Sequence, residues 1–239
     1  MKTLSCALPL SLSLFAVGCA ADLDEQWDLD HDRIIAVRAT KPGLLPGEQT
    51  ELIGLIGRDG DKTFEQVPQI AGVVMPMSLA GAVTFDRGQW LVTAPSAEQI
   101  DAARTELGIP AGMPVPLTVG LSYAEGDKLA VTTVRLGVDG VNPVIGSPMV
   151  DGKPAAPGVE LVVDSLVDVR LSVTLAEKLE VNWLTSCGQM HDFDLPEAYL
   201  RVEQDDPTEG ELAVVVRDRL GGVDWMVWPI RANPIATEL

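Results

Sequence analysis

The stretch VDVRLSVTL, residues 167–175, alternates apolar and polar side chains without a break. Successive side chains of an extended strand point to opposite faces, so this pattern predicts a strand with one buried face and one solvated face. Residues 117–123, LTVGLSY, repeat the alternation in the first half of the chain. Strands of this kind are typical of antiparallel sheets that pack on one side. The sequence therefore predicts an all-β protein.

Turn residues separate the strand candidates at short intervals. The chain of 239 residues contains 22 glycines and 17 prolines, which favours many short strands over long helices. Gly221 and Gly222 both tolerate a positive φ, and they predict a hairpin between strands at residues 212–216 and 223–227.

One short helix is predicted at about residues 96–107. Ser96 can cap it, and Gln99 three residues later completes a capping box. Gly108 and Pro110 end it. Because the helix lies between strand candidates, we expect it to be a crossover connection between the two sheets of a sandwich.

Turn residues without periodicity, GVDGVNP at residues 137–143, predict a domain boundary. Each side of this boundary holds the number and spacing of strand candidates expected of a β-sandwich. We therefore expect sandwiches at residues 33–140 and 141–232, followed by a tail at residues 233–239.

The second half resembles the immunoglobulin-like and PKD-like extracellular modules. The residues that carry this resemblance are VNW at 181–183, GELAVVVRD at 210–218 and GGV at 221–223. The glycine-rich acidic motif that follows the Trp of PKD modules is absent, and LTS at 184–186 stands in its place. The resemblance implies antiparallel, immunoglobulin-like β-sandwiches, and it implies no particular function.

Residues 1–18 have the pattern of an export signal. Lys2 precedes an apolar stretch at residues 4–17, which is shorter than the roughly 20 residues that cross a bilayer. The following AVGC, residues 16–19, resembles the lipobox of bacterial lipoproteins, although Ala16 replaces the usual Leu. The resemblance implies cleavage before Cys19, fatty acyl chains on this cysteine and a membrane as partner. The alternative is an ordinary secretory signal that releases a soluble periplasmic protein.

The residues after Cys19 indicate the cellular location of the protein. In enteric lipoproteins a residue other than Asp after the cysteine means transfer to the outer membrane, and Ala20 stands there. We therefore expect an outer-membrane anchor, with the protein facing either the periplasm or the surface. Residues 19–32 are expected to form an acidic tether. The residues from Asp28 onward do not match an EF-hand calcium loop. Such a loop requires Gly at its sixth position and Glu at its twelfth, and Arg33 and Ala39 stand there.

The chain is strongly acidic, with 35 Asp and Glu against 17 Lys and Arg and a net charge of −18. Such a surface repels phosphate backbones, so we expect no nucleic-acid partner. It attracts divalent cations or basic partners.

The sequence contains few candidate catalytic residues. Cys187 and His191 could form a nucleophile and base, but Cys187 shares the apolar phase of Trp183 and is expected to point inward. Residues 120–124, GLSYA, are one residue from a nucleophile elbow, but Ser122 lies within an alternating strand. We therefore predict no catalytic site.

A calcium site is a further hypothesis. Carboxylates concentrate in a predicted loop at Asp192, Asp194 and Glu197, with others at residues 205, 206 and 209. Carboxylate oxygens are calcium ligands. Because no fixed-spacing motif is present, we favour the absence of any metal.

The tryptophans suggest one binding residue. Trp183 and Trp225 fit the phase of core residues, whereas Trp228 shares the opposite face with Met226 and Ile230. If this side of the strand is exposed, it is a candidate ligand surface. If it is covered, it packs between the two domains.

These patterns predict a lipid-anchored cell-envelope protein with a structural or binding role and no catalytic activity. Two alternatives remain: a surface module that binds envelope glycan or protein, and a noncatalytic subunit of an envelope assembly. A calcium-binding adhesion module is a further one. A binding module should expose Trp228 beside a groove, whereas an assembly subunit should expose a broader apolar patch.

Overall fold

The computed structural model describes residues 25–60, 62–176 and 178–234, without the side chain of Glu125. Strands are the main secondary structure of these residues, with one α-helix and two short 3-10 helices, so the predicted all-β class is confirmed. The predicted signal and Cys19 lie outside the described residues.

The first sandwich contains nine strands within these residues. They are β1 (Arg33–Ala39), β2 (Gly43–Leu44), β3 (Gln49–Gly57), β4 (Phe64–Gln66), β5 (Ile70–Met75), β6 (Val83–Asp86), β7 (Gln89–Thr93), β8 (Val115–Tyr123) and β9 (Lys128–Leu136). One sheet has the order β1-β3-β7-β6, with β4 also paired to β3, and the other has the order β2-β9-β8-β5.

The second sandwich also contains nine strands within the described range. They are β10 (Gly146–Val150), β11 (Lys153–Pro154), β12 (Leu161–Asp164), β13 (Val169–Thr174), β14 (Glu180–Thr185), β15 (Gln189–His191), β16 (Glu197–Arg201), β17 (Glu209–Arg217) and β18 (Val223–Asn233). Its sheets have the orders β11-β10-β13-β16-β15 and β12-β18-β17-β14.

Both sandwiches have the strand order of an immunoglobulin domain. With strands lettered A to G, the ABED sheet is β1-β3-β7-β6 in the first sandwich and β10-β13-β16-β15 in the second. The GFC sheet is β9-β8-β5 in the first and β18-β17-β14 in the second. A short strand, β2 or β12, pairs in parallel with the last strand of each GFC sheet. The prediction of two consecutive immunoglobulin-like sandwiches is therefore confirmed.

The alternating stretch that predicted the fold lies in the core of the second sandwich. Val169, Leu171 and Val173 are buried on β13, and the polar residues between them face outward. The predicted helix is α1 (Ala97–Glu106), with Ser96 and Gln99 forming the expected capping box. It joins β7 of the ABED sheet to β8 of the GFC sheet, as a crossover connection should. Two short 3-10 helices occupy Met77–Ala82 and Ala124–Gly126.

The four sheets lie on one another as four layers. One apolar cluster fills the space between the sheets of the first sandwich, and another fills the second sandwich. A third cluster lies between the ABED sheet of the first sandwich and the GFC sheet of the second. The two sandwiches therefore pack face to face, with the ABED sheet of the first against the GFC sheet of the second.

The acidic segment before β1 is not a free spacer where the structure describes it. Leu29 is buried, and its backbone N–H donates to the carbonyl oxygen of Thr185 at 2.9 Å. The N–H of Thr185 donates in turn to Trp27 at 2.9 Å. Apolar side chains at alternate positions dock this segment on the second sandwich, so the predicted tether is wrong for residues 27–29.

Among the described residues, no helix has the length and apolar character needed to cross a membrane.

Candidate functional site

The contact between the two sandwiches, which we call the seam, is an apolar core. The first sandwich and the segment before it contribute Leu29, Ile35, Ala36 and Leu55, and the second contributes Leu184, Ala213, Val215, Val223 and Trp225. All nine side chains are buried. Apolar area removed from water contributes about 25 cal/mol per Å², so the seam stabilises one fixed arrangement of the sandwiches.

Strand β17 shows how the seam is built, because it is buried on both faces. The side chains that it turns toward the core of the second sandwich are Leu212, Val214 and Val216. Between them, Ala213 and Val215 face the seam. A strand covered on both sides is a continuous apolar run, and ELAVVV at residues 211–216 is such a run apart from its first residue.

Charged side chains border the seam and cross it. The Arg38 guanidinium lies 4.0 Å from the centre of the Trp225 ring, and its Nη1 is 2.5 Å from Oδ1 of Asp224. The indole Nε1 of Trp225 donates to Oε1 of Glu65 at 2.9 Å, and Arg38 also contacts Glu65 at 3.2 Å. These contacts fix the register of one sheet on the other.

Two polar side chains, the buried Glu211 and the partly buried Arg217, also join the sandwiches. Glu211 accepts hydrogen bonds at Oε2 from the backbone N–H and the hydroxyl of Thr63, both at 2.7 Å. Arg217 donates to the carbonyl oxygen of Ile35 at 2.9 Å and to Oδ1 of Asn182 at 2.7 Å. Burial lowers the pKa of Arg217, because a desolvated guanidinium is less stable when charged.

The predicted orientation of two tryptophans is reversed in the structure. Trp228 is completely buried in the core of the second sandwich, where its Nε1 donates to the carbonyl oxygen of Ala156 at 3.0 Å. Trp225, predicted to be a core residue, faces the seam. Trp228 cannot reach a ligand from this position, so the binding role predicted for it is wrong. Both faces of β18 are apolar and covered, and periodicity alone does not distinguish them.

Clefts lie along the edge of the seam, and each has acidic residues in its lining. The first has a volume of about 450 Å³ and includes Asp30, Glu160, Glu209 and Glu211 in its lining. Neighbouring clefts of about 420 and 440 Å³ share residues with it.

The candidate catalytic residues do not form a catalytic arrangement. Cys187 is completely buried, and its Sγ donates to the carbonyl oxygen of Pro207 at 3.1 Å. Burial raises the pKa of this thiol to about 11, and the charges of Asp206 and Glu209 act in the same direction. His191 is exposed at the end of β15. A protonated, buried thiol is a poor nucleophile.

Ser122 also fails as a nucleophile, because it is an outward residue within β8 and not part of a strand-to-helix turn. Ser122 is buried, and its Oγ has no hydrogen-bond partner among the described residues.

The candidate calcium ligands are not gathered around a common point. Glu197 lies on β16, where Oε2 is 2.5 Å from the Arg170 guanidinium. This hydrogen bond lowers the pKa of Glu197. Asp192 has a positive φ of 56° in the turn after β15, and Asp194 follows it. Across the part of the chain that the structure describes, no three His, Cys, Asp or Glu residues are placed to hold a metal ion.

The aspartates of the N-terminal segment have structural partners. Oδ1 of Asp28 accepts the N–H of Asp30 at 2.8 Å, and Oδ1 of Asp30 accepts the N–H of Gly60 at 2.6 Å. Asp28 also pairs with His31 at 3.3 Å. These carboxylates hold the N-terminal segment together and join it to the turn after β3.

The sequence reasoning missed a surface on the first sandwich, which we call the open face. It is the outward side of the GFC sheet, formed by Ile70, Gly72 and Val74 on β5, Thr118, Gly120 and Ser122 on β8, and Leu129, Val131 and Thr133 on β9. None of these nine residues is charged, and Arg135 follows them in the same phase of β9. Ser122 is buried, and Thr133 lies against Gly221 of the second sandwich. Leu129 is 78% exposed, Val131 65% and Ile70 63%. The signal was present in KLAVTTV at residues 128–134, where apolar residues occupy both phases of a strand.

Comparisons with known proteins do not assign the chain to a family. No family model matches it, and no curated protein is significantly similar. Solved structures with similarity include the tandem Ig repeats of Dlar, at 11% identity and a TM-score of 0.31, covering 84% of this chain and 98% of that one. The two tandem V-type regions of VCBP3, a v-region-containing chitin binding protein, match at 11% identity and a TM-score of 0.34, covering 82% and 98%. Murine CEACAM1b matches at 10% identity and a TM-score of 0.29, covering 84% and 100%. Values this low do not establish a family.

Proposed function

We propose that the protein is a lipid-anchored, noncatalytic structural component of a bacterial cell envelope. The observation that carries the structural role is the seam, since nine buried apolar residues hold two sandwiches in one fixed arrangement. The separation of Cys187, in the core, from His191, on the surface, supports a role without catalysis.

The anchor and the address rest on the sequence of residues 1–19. The apolar stretch after Lys2 and the AVGC of residues 16–19 match the signal of an exported lipoprotein. Each buried methylene of an acyl chain contributes about 0.8 kcal/mol, so several chains on Cys19 would hold the protein stably at a membrane. The acidic charge of −18 is compatible with a protein that avoids nucleic acid.

A subunit of an envelope assembly is favoured over a module that binds glycan at Trp228. That module requires Trp228 beside an open groove, and the residue is buried. The open face provides instead the broad apolar patch expected of an assembly subunit.

Mass spectrometry of the N-terminus tests the anchor. The full chain is expressed in a bacterium with an outer membrane and purified from the envelope fraction. We expect a mature chain that begins at Cys19 and carries acyl chains. The Cys19→Ala variant should lose the acyl mass and leave the detergent phase on phase separation. The Cys6→Ala variant is the matched control. Cys6 lies within the predicted signal, which is cleaved off, so its substitution should leave the mature chain and its acyl mass unchanged.

An unmodified N-terminus at Ala20 or later would make the protein soluble and contradict the proposal. Retention of residues 1–18 on a cytosolic product would contradict both the anchor and the export. Equal loss of acyl mass in both variants would mean that Cys19 is not the specific acceptor.

A further inference from the structure

We propose that the open face is the interface of a homodimer, in which a second copy of this chain packs on it about a two-fold axis. This inference names the partner for the assembly role proposed above, but it does not depend on the lipid anchor. Four observations on the GFC sheet of the first sandwich support it.

The first observation is chemical. The nine outward residues of the open face contain no charge, although the chain as a whole carries 35 acidic and 17 basic residues. Two copies of a chain with a net charge of −18 repel each other. They can approach best where acidic side chains are absent, and neither the nine residues of the open face nor Arg135, which follows them in phase on β9, adds a negative charge.

The second observation comes from the same chain. The outward side of the GFC sheet in the second sandwich is covered by a sheet of this protein, the ABED sheet of the first. The equivalent side in the first sandwich is apolar as well, but Leu129 and Val131 remain exposed there. The outward side of a GFC sheet thus already packs against another β-sheet within this protein.

The outer face of the remaining sheet is a poor partner for the open face. On the ABED sheet of the second sandwich, Arg170 pairs with Glu197, and Arg201 pairs with Asp168 and Glu203. Head-to-tail stacking of copies would bury these charges against apolar residues at a high cost. The partner of an open face is therefore another open face.

The third observation is the shape of the open face. Gly72 and Gly120 are paired across β5 and β8, and Gly120 is paired with Val131 on β9. A Cβ on Gly72 would meet no atom within 4 Å, so nothing inside the chain requires a glycine there. A glycine within a strand often marks the close approach of another body. The side chain of Val74 occupies the space above Gly120, where its Cγ2 would lie 3.0 Å from an added Cβ, so the open space is at Gly72. A second copy related by a two-fold axis can place its exposed Leu129 or Val131 against this space.

The fourth observation is area. Three strands about 4.8 Å apart, over about six residues of 3.3 Å each, cover roughly 300 Å² in projection. The accessible area is larger, roughly 500 Å² per copy, so a face-to-face pair buries about 1,000 Å² in total. This area is at the lower end for a specific interface, and it fits a reversible dimer better than a permanent one.

Sedimentation equilibrium of the full chain tests the inference, in a detergent of matched density and over a wide concentration range. We expect a reversible monomer–dimer equilibrium. Leu129→Glu combined with Val131→Glu should weaken it by more than about tenfold, because each copy would place carboxylates against an apolar sheet. The matched control adds the same charge to the other outer sheet, by Thr174→Glu combined with Gln189→Glu, and should leave the equilibrium unchanged.

A single substitution separates association from folding. Gly72→Arg places a side chain into open space, so the unfolding temperature should not fall. The same side chain fills this space, and the dimer should be lost. A chain that stays monomeric at every concentration would overturn the inference, as would equal weakening by the open-face and control variants. Mass spectrometry of Cys19 is unaffected by any of these outcomes, so failure of the dimer and failure of the anchor are distinguishable.

Oxidation in intact cells provides a measurement without detergent. Val131→Cys in the full chain should form a disulfide-linked dimer, and Thr174→Cys, on the outer face of the second sandwich, should not. Equal cross-linking of both variants would contradict the two-fold arrangement.

Discussion

The two GFC sheets of this protein have the same strand order and opposite surroundings. In the second sandwich the outward side is buried against the first sandwich and contributes Ala213, Val215 and Trp225 to the seam. In the first sandwich the outward side carries Leu129 and Val131 in solvent. Strand order thus decides which strands are neighbours, but it does not decide whether the outer face of a sheet is covered. Apolar residues on an outer face indicate a partner, which the second sandwich has within the chain.

Substitution of a valine by aspartate should give the largest difference in stability between the seam and the open face. Val215→Asp buries a carboxylate between two sheets without a counter-charge, and we expect a loss of about 3–5 kcal/mol in the free energy of unfolding. Val131→Asp makes the same change on the open face and should alter the stability of the monomer by less than about 0.5 kcal/mol. Urea unfolding of both variants measures the difference at a concentration where dimers are dissociated. Similar losses in both variants would contradict the contrast between a covered and an open face.

The polar contacts of the seam are the next test. Glu211→Ala removes the acceptor of both Thr63 hydrogen bonds, and we expect a loss of about 1.5–3 kcal/mol, because hydrogen bonds to a charged group are the stronger ones. Glu209→Ala is the matched control, since Glu209 lies two residues earlier on β17 and is exposed. Chemical unfolding should show a change within about 0.5 kcal/mol for this control. Equal effects would mean that Glu211 does not join the sandwiches.

The buried thiol of the second sandwich predicts a smaller, pH-dependent effect. The pKa of Cys187 is raised to about 11 in the folded chain, whereas an exposed thiol titrates near 8.5. As the pH rises above about 8.5, the unfolded chain releases this proton first, so the free energy of unfolding falls until the pH reaches about 11. Below that range the thiol makes no pH-dependent contribution.

Urea unfolding of the parent chain and of Cys187→Ala across this pH range isolates the thiol, because all other titrating groups are shared. The parent should lose more stability than the variant as the pH rises. Parallel curves would indicate a thiol that is accessible to water, and therefore a second sandwich less tightly packed than the seam requires.

Calcium should have the smallest effect of all. Glu197 is paired with Arg170, and the described residues contain no group of three metal-ligating side chains. We therefore expect the unfolding temperature to be the same in millimolar calcium and in a chelator. An increase with calcium that Glu197→Gln or Asp194→Asn abolishes would restore the hypothesis of a calcium site near β15 and β16.

Local patterns predicted the elements of this fold because they depend on neighbouring residues. The alternation at residues 167–175 and the capping box of Ser96 and Gln99 are visible in the sequence, and both have the expected structure. The packing of one sandwich on the other is a long-range property. Strand β18 is apolar on both sides, so periodicity could not decide whether Trp225 or Trp228 faces the core.

The surfaces were predicted less well for a related reason. The acidic segment at residues 27–32 has the composition of a spacer, but Trp27 and Leu29 alternate with its aspartates and dock on the second sandwich. The open face was missed because its residues come from the β8–β9 hairpin and from β5, which is distant from that hairpin in sequence. Only the pairing of β5, β8 and β9 brings Ile70, Gly120 and Leu129 onto one surface.

Calorimetry of the full chain tests most directly whether the seam is a true core. If the seam joins the two sandwiches as firmly as each is packed within itself, the parent should unfold in one transition, with equal calorimetric and van't Hoff enthalpies. Val215→Asp should divide that transition into two. Two separate transitions in the parent chain would contradict the account, because they would show that the sandwiches fold independently and that the seam contributes little.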